Sequence, residues 1–368
     1  MMKYLAAAKI LKKHNAQVDN AVFHLHYRVT FVVFLVAGAL VTAREFIGAP
    51  IQCISKSVPA NVLNTFCFIM STFSVPRHWD QPLGDGVAYP GVGTHDEEND
   101  EIVYHAYYQW VPFVLVLQAI MFYIPRYLWK NMEGGLFNTI LAGLDKMTLD
   151  ENARHKKHKI LAQYMIRHLH MHLNWAIRFF LCEALCLVVV VGNIYFTDLF
   201  LDGTFMKYGT EVINFPDMDP ENRVDPMTRI FPRVTKCTFR KFGSSGTIET
   251  HDTMCVLAVN IINEKIYIFI WFWLVCLTAI TALWLLYRLL VIASSDVRFK
   301  LLQVRGRWAG RPNLDLIAKK CNLGDWFLIY HLGRNMEPMV YGEFLKEFAK
   351  ELENSVSTLE RKPMLVGS

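Results

Sequence analysis

The chain has 368 residues, 53% of them apolar and only 19% charged, with a formal net charge of +5. The apolar residues collect in four long runs, which excludes an ordinary large soluble core and points to a mostly α-helical, polytopic membrane protein. The sequence has no zinc-finger spacing, no P-loop and no basic cluster interleaved with base-stacking aromatics, which argues against nucleic acid as a partner.

Residues 1–26 read as a basic arm. Lys3, Lys9, Lys12 and Lys13 accompany Leu5, Ile10 and Leu11. By themselves these residues describe a solvated arm lying against anionic lipid. Asp19-Asn20 is a break or N-cap before the first span. No short apolar region with a small-residue cleavage site is present, so the arm is expected to be retained. The first span covers 27–47. Its uncharged core, 29–43, has 15 residues and lies between Arg28 and Arg44, which can snorkel to the two interfaces.

A first loop, 48–104, carries Cys53 and Cys67. Its acidic run Asp96-Glu97-Glu98-Asn99-Asp100-Glu101 is either a solvated face or a negative rim that draws cations to a pore mouth. The glycine-rich stretch 84–93 lacks the strand-then-helix setting of a nucleotide loop.

The second span, 105–125, contains 20 consecutive uncharged residues, 106–125. Tyr107, Tyr108 and Trp110 sit at one end and Tyr123, Tyr127 and Trp129 at the other, as in an aromatic belt. Pro112 falls in the first turns and Pro125 at the exit. Residues 126–178 form a polar segment with nine Lys/Arg against four Asp/Glu. His168 and His172 would share a helix face four residues apart. With no Cys or acidic third ligand nearby in sequence, no metal site is assigned; a protonation sensor and a solvated basic helix are the competing readings.

The third span, 179–201, contains Glu183 one turn in. A carboxylate there is costly and marks a functional site, unless it sits at headgroup depth paired with Arg178 or Arg288. Cys182 and Cys186 share a face of this span and read as reduced core residues. A second loop, 202–265, holds Cys237, Cys255 and β-prone pieces. The fourth span, 266–287, has 22 uncharged residues. The tail, 288–368, shows helical periodicity from Leu314 onward and reads as a helical domain with a disordered end.

Counting Arg28 with the arm and Arg44 with the first loop, Lys and Arg number 27 in the arm, the central segment and the tail, against 11 in the two loops. The positive-inside rule then places both termini in the cytoplasm and both loops outside. Two cysteines in each outer loop form an even set on the oxidising side, a disulfide framework with three possible pairings. Nothing supplies a nucleophile with a base, a phosphate cradle or a metal site, so no enzyme activity and no cofactor are assigned.

The pentapeptide Tyr107-Tyr108-Gln109-Trp110-Val111, followed by Pro112, is similar to the signature of the innexins, the invertebrate gap-junction proteins. The spacings Cys53-x13-Cys67 and Cys237-x17-Cys255 resemble that family's two cysteines per outer loop. Connexins, which carry three per loop, fit less well. The resemblance covers the chain to about residue 350. It implies a four-helix bundle per subunit, disulfide-linked extracellular loops with short strands, and a helical cytoplasmic domain. By the same resemblance, Cys53 pairs with Cys255 and Cys67 with Cys237. The subunits would assemble with innexin copies or relatives into an octameric ring in the plasma membrane, docking to a second ring. The alternatives are an unpaired hemichannel and a non-conducting adhesion protein. The N-terminal arm would fold into the pore, making Lys3, Lys9, Lys12, Lys13, Arg28 and Arg44 pore-lining candidates. The pentapeptide would anchor the second helix beneath the loops.

Overall fold

The computed structural model describes residues 18–81, 84, 87–96, 99–141, 151–215 and 225–360. Lys3, Lys9, Lys12 and Lys13 lie outside the described residues, as do Glu97, Glu98 and the last eight residues. In chain order the elements are α1 (Ala21–Ile47), β1 (Ile51–Ile54), α2 (Ala60–Ile69), β2 (Thr72–Ser74), β3 (Val103–His105), α3 (Val111–Glu133), α4 (Leu136–Leu141), α5 (Glu151–Arg167), α6 (Leu173–Phe200), α7 (Phe205–Asn214), α8 (Pro226–Ile230), β4 (Val234–Phe242), β5 (Ile248–Leu257), α9 (Asn260–Ala293), α10 (Ser295–Arg305), α11 (Arg311–Lys320), α12 (Leu323–Asn335) and α13 (Pro338–Glu360).

Among the described residues, α1, α3, α6 and α9 are long and apolar enough to cross a membrane. α1, α6 and α9 outrun the uncharged stretches that mark them in the sequence; α3 begins at Val111, five residues into its own, and runs past its end. Backbone hydrogen bonding does not stop at the first charge, because a snorkelling or solvated side chain leaves the i→i−4 ladder intact. The helix α3 therefore continues through Pro125 for two further turns, to Glu133. Proline removes one ladder bond there without ending the helix. α1 starts at Ala21 rather than 27 and contains a π-helical segment, Leu25–Thr30. The Thr30 hydroxyl donates to the Leu25 carbonyl at 2.8 Å, which is the five-residue spacing that such a segment opens.

The chain divides into two units. One takes Leu25–Ile124 and Leu187–Ile280. Its strands form one antiparallel sheet in the order β1-β5-β4-β2-β3. β4 and β5 are a long hairpin, and β1 and β2 dock on its two sides. Some buried polar groups within its helices pair across helices. Gln118 donates to Thr197 at 2.8 Å, and the Trp273 indole donates to Thr30 at 2.9 Å. Such pairs are required where water is absent.

The other unit takes the described parts of Met1–His24, Pro125–Cys186 and Thr281–Ser368. Its core is aromatic: Phe179 packs on Trp129 at 4.8 Å and on Phe327 at 5.5 Å between centroids. α5 buries His158, Leu161, Ala162 and Met165, a one-face spacing of three and four residues. It lies against α13, whose Tyr341, Phe344, Leu345, Phe348 and Leu352 are buried. An ion pair from Arg154 to Glu343 at 2.9 Å edges the seam.

Candidate functional site

The disulfide-bearing platform is built on paired strands. Cys53 lies directly opposite Cys255 in the register of β1 and β5, and the two are joined as a disulfide. The Cys53 backbone N–H points away from β5 and donates instead to Asn64 Oδ1 of α2 at 2.8 Å. Cys53 therefore occupies a non-hydrogen-bonded pair, the position where facing side chains approach most closely. The second bond joins Cys67, on α2, to Cys237, on β4. All four sulfurs are buried. Together the bonds tie α2 and both loops to one sheet. Cys182 and Cys186 are free and buried.

The aromatic pentapeptide has a defined place under this platform. Tyr107–Gln109 form a single 3-10 turn ahead of α3. The last carbonyls of a helix lack intrahelical partners, and here the turn supplies them for α2. Gln109 Nε2 donates to the carbonyls of Phe68 at 2.6 Å and Ile69 at 3.2 Å. The Tyr108 hydroxyl lies 3.4 Å from the carbonyls of Cys67 and Phe68. Tyr108 and Val111 are fully buried, whereas Trp110 is 60% exposed. The pentapeptide thus caps the helix that bears Cys67. Replacing Gln109 with Ala should cost about 0.5–1.5 kcal/mol, the net worth of one lost hydrogen-bonding group. The measurement is thermal melting of the purified protein.

Beside the sheet, His105 is buried and its Nε2 lies 2.8 Å from the Ser74 hydroxyl. Burial pushes its pKa down to about 4. The folded state therefore holds it neutral while an unfolded chain protonates near 6.5. The stability it contributes is complete above pH 6.5 and is lost as pH falls through that value toward 4. Melting temperature should fall over that window, and His105→Gln should flatten the dependence.

In the other unit, Glu183 is 3% exposed. Its carboxylate accepts from Arg288 Nε and Nη2, both at 2.7 Å, and from the Trp284 indole at 3.0 Å. The Asn20 side-chain amide also donates to it. Asn20 in turn accepts from the Phe23 N–H at 2.7 Å, capping the start of α1, and neighbouring Asp19 pairs with Arg126 at 2.7 Å. The carboxylate thus lies in a buried ion pair that also holds the entry to α1. Of the two sequence partners, Arg288 is the one engaged. Arg28 is exposed and Arg44 half-buried.

The histidine segment differs from its expected form. α5 ends at Arg167 and α6 begins at Leu173, so His168 and His172 flank a break and share no continuous helix face. His170 sits in the left-handed region at φ 69°. The reason is Asp325, fully buried at the start of α12. It accepts from His172 Nδ1 at 2.8 Å and from the His170 N–H at 2.9 Å. Asn322 and Asp325 also complete a capping box. At Gly324, a Cβ would fall 2.4 Å from the Leu173 backbone nitrogen, so only glycine permits this approach. Sequence reasoning passed over Asp325; the Asn322-x-x-Asp325 spacing was the available signal.

The innexin family profile matches residues 19–352. The chain is 46% identical over 354 residues to "Innexin inx2" of Drosophila melanogaster, covering 96% of each chain. It is 47% identical to "Innexin inx2" of Schistocerca americana, over 94% of this chain and 96% of that one. To "Innexin shaking-B" of Drosophila melanogaster it is 40% identical, over 93% and 92% respectively.

Proposed function

The chain belongs to the innexin family and is therefore a gap-junction channel subunit; we propose that eight copies, or copies with other innexins, form a ring that docks to a ring on the adjacent cell. Flux through it is passive and follows the electrochemical gradient, with no enzymatic step. Both termini and the central segment face the cytoplasm.

The observation that carries this proposal is the union of both loops into one sheet by Cys53–Cys255 and Cys67–Cys237. Loops joined in this way lie on one side of the membrane, and their disulfides belong to the oxidising side. The excess of Lys and Arg in the other segments supports the same orientation. A rigid platform of this kind suits end-to-end docking, where each loop ordered in advance lowers the entropy lost on binding. Residues 1–20 enter the pore in this scheme, with Arg28 and Arg44 along its wall.

The hairpin tip provides the test. Phe242 and Ile248 face each other across the last rung of β4 and β5 and are 76% and 65% exposed. In docking they meet the opposing ring. Phe242→Asp should reduce conductance between paired cells while dye uptake by single cells persists. Unchanged junctional conductance would remove the tip from the interface. Loss of uptake and coupling together would mean that the tip serves assembly instead.

A further inference from the structure

α9 leaves its uncharged run at Arg288, and the chain turns at Ser294 into α10. The stretch from Arg298 to Trp308 mixes cations with apolar side chains that lack cover: Val304 is 75% exposed and Trp308 51%. Between this stretch and α12 lies a cavity of about 370 Å³, whose lining includes Val304, Arg305, Arg307 and Tyr330. The Arg305 guanidinium stands 5.0 Å above the Tyr330 ring, and Arg307 lies 5.9 Å from the Trp308 ring. Arg334 follows Gly333, another lining residue.

The charges here are unbalanced. Among the described residues, the arginine ion pairs of this unit are Arg126 with Asp19, Arg154 with Glu343 and Arg288 with Glu183. None engages Arg305, Arg307 or Arg334. Arg298 is also committed, donating to the carbonyls of Val291 and Ile292 at the end of α9. Burial, aided by the charges of Arg305 and Arg288, lowers the pKa of Arg334 from its ordinary value, against the opposing pull of Tyr330 and Asp19. Positive charge is thus held together beside a cavity with no carboxylate, among the described residues, at ion-pair distance from these three groups.

We propose that this cavity binds a multiply charged phosphate ester, gripped by Arg305 and Arg307. Guanidinium forks match phosphate oxygens in pairs and are less strongly hydrated than ammonium groups. An anion here would offset the mutual repulsion of the cluster. Tyr330 supplies an aromatic wall that keeps Arg305 in place. Val304 and Trp308, exposed beside the cations, suit the acyl chains of a lipid whose headgroup the cations hold, as in other basic stretches next to a span. A soluble inositol or nucleotide phosphate offers the same chemistry.

The test uses the purified full-length ring in detergent, so its outcome is independent of membrane orientation. One arm titrates inositol hexakisphosphate; the other adds short-chain phosphatidylinositol 4,5-bisphosphate and reads binding by native mass spectrometry. Arg305→Gln with Arg307→Gln should weaken binding at least about tenfold, because two bidentate guanidinium contacts are removed. Arg311→Gln, an exposed site on α11, should leave it unchanged. Arg307→Gln alone, also exposed, should weaken binding and covers the case in which the double variant fails to assemble. Binding of both probes assigns the site to phosphate in general, and binding of the lipid alone assigns it to a headgroup. No binding of either probe, or equal losses in the Arg311 and Arg307 variants, would overturn the proposal.

Discussion

Replacing Cys53 or Cys255 with Ser should abolish conductance between paired cells. The bond closes a separation of 202 residues, for which a chain-entropy treatment gives about 5 kcal/mol. Helices held in the membrane already restrict the unfolded loops, so the loss is expected within the usual range of about 2–5 kcal/mol. β1 is an edge strand paired only with β5, and its four residues provide few ladder bonds to replace the covalent link. Loss of the bond should therefore free β1 and, through Asn64, loosen α2. Surface labelling alongside paired-cell recording separates failed delivery from failed docking. Normal conductance from surface-expressed Cys53→Ser would show that the sheet holds without the bond.

A comparable loss is expected from Glu183→Gln, read as the fraction of protein that assembles and as its melting temperature. The substitution preserves shape but leaves the Arg288 guanidinium, whose side chain is 8% exposed, without its counter-charge. Breaking one partner of a buried pair costs about 3–5 kcal/mol. The double change Glu183→Leu with Arg288→Met should recover much of that stability, since apolar replacement of a buried pair is often neutral. It would still lack the acceptor for Asn20, so gating should differ even where folding is restored. A Glu183→Gln channel as stable as the parent would mean that the pair carries little folding energy.

The four spans, the count of loop cysteines and the charge asymmetry were legible in the chain itself. Each is a local or additive property: twenty uncharged residues seek hydrocarbon whatever their neighbours do, and Lys and Arg act segment by segment. Membership of the innexin family was legible too, and the resemblance supplied the nested pairing that the cysteine count alone left open among three.

Partners distant in sequence needed the tertiary structure. Register places Cys53 opposite Cys255, and an adjacent strand position would have pointed its side chain to the other face of the sheet. Glu183 had two candidate cations. Arg178 is five residues away, about 140° around the same helix, which turns it from the carboxylate; Arg288 comes from another helix and meets it directly. The histidines looked like one helical face until Asp325, 153 residues from His172, drew the chain into a break. Tyr108 read as an interface aromatic and Gln109 as part of a pentapeptide anchoring the second helix, yet they cap a helix some 40 residues earlier in the chain. Loop-closure entropy rises only slowly with length, so sequence nearness gives little advantage in choosing a partner. Buried hydrogen bonding and charge neutralisation decide it, and those exist only once the elements are packed.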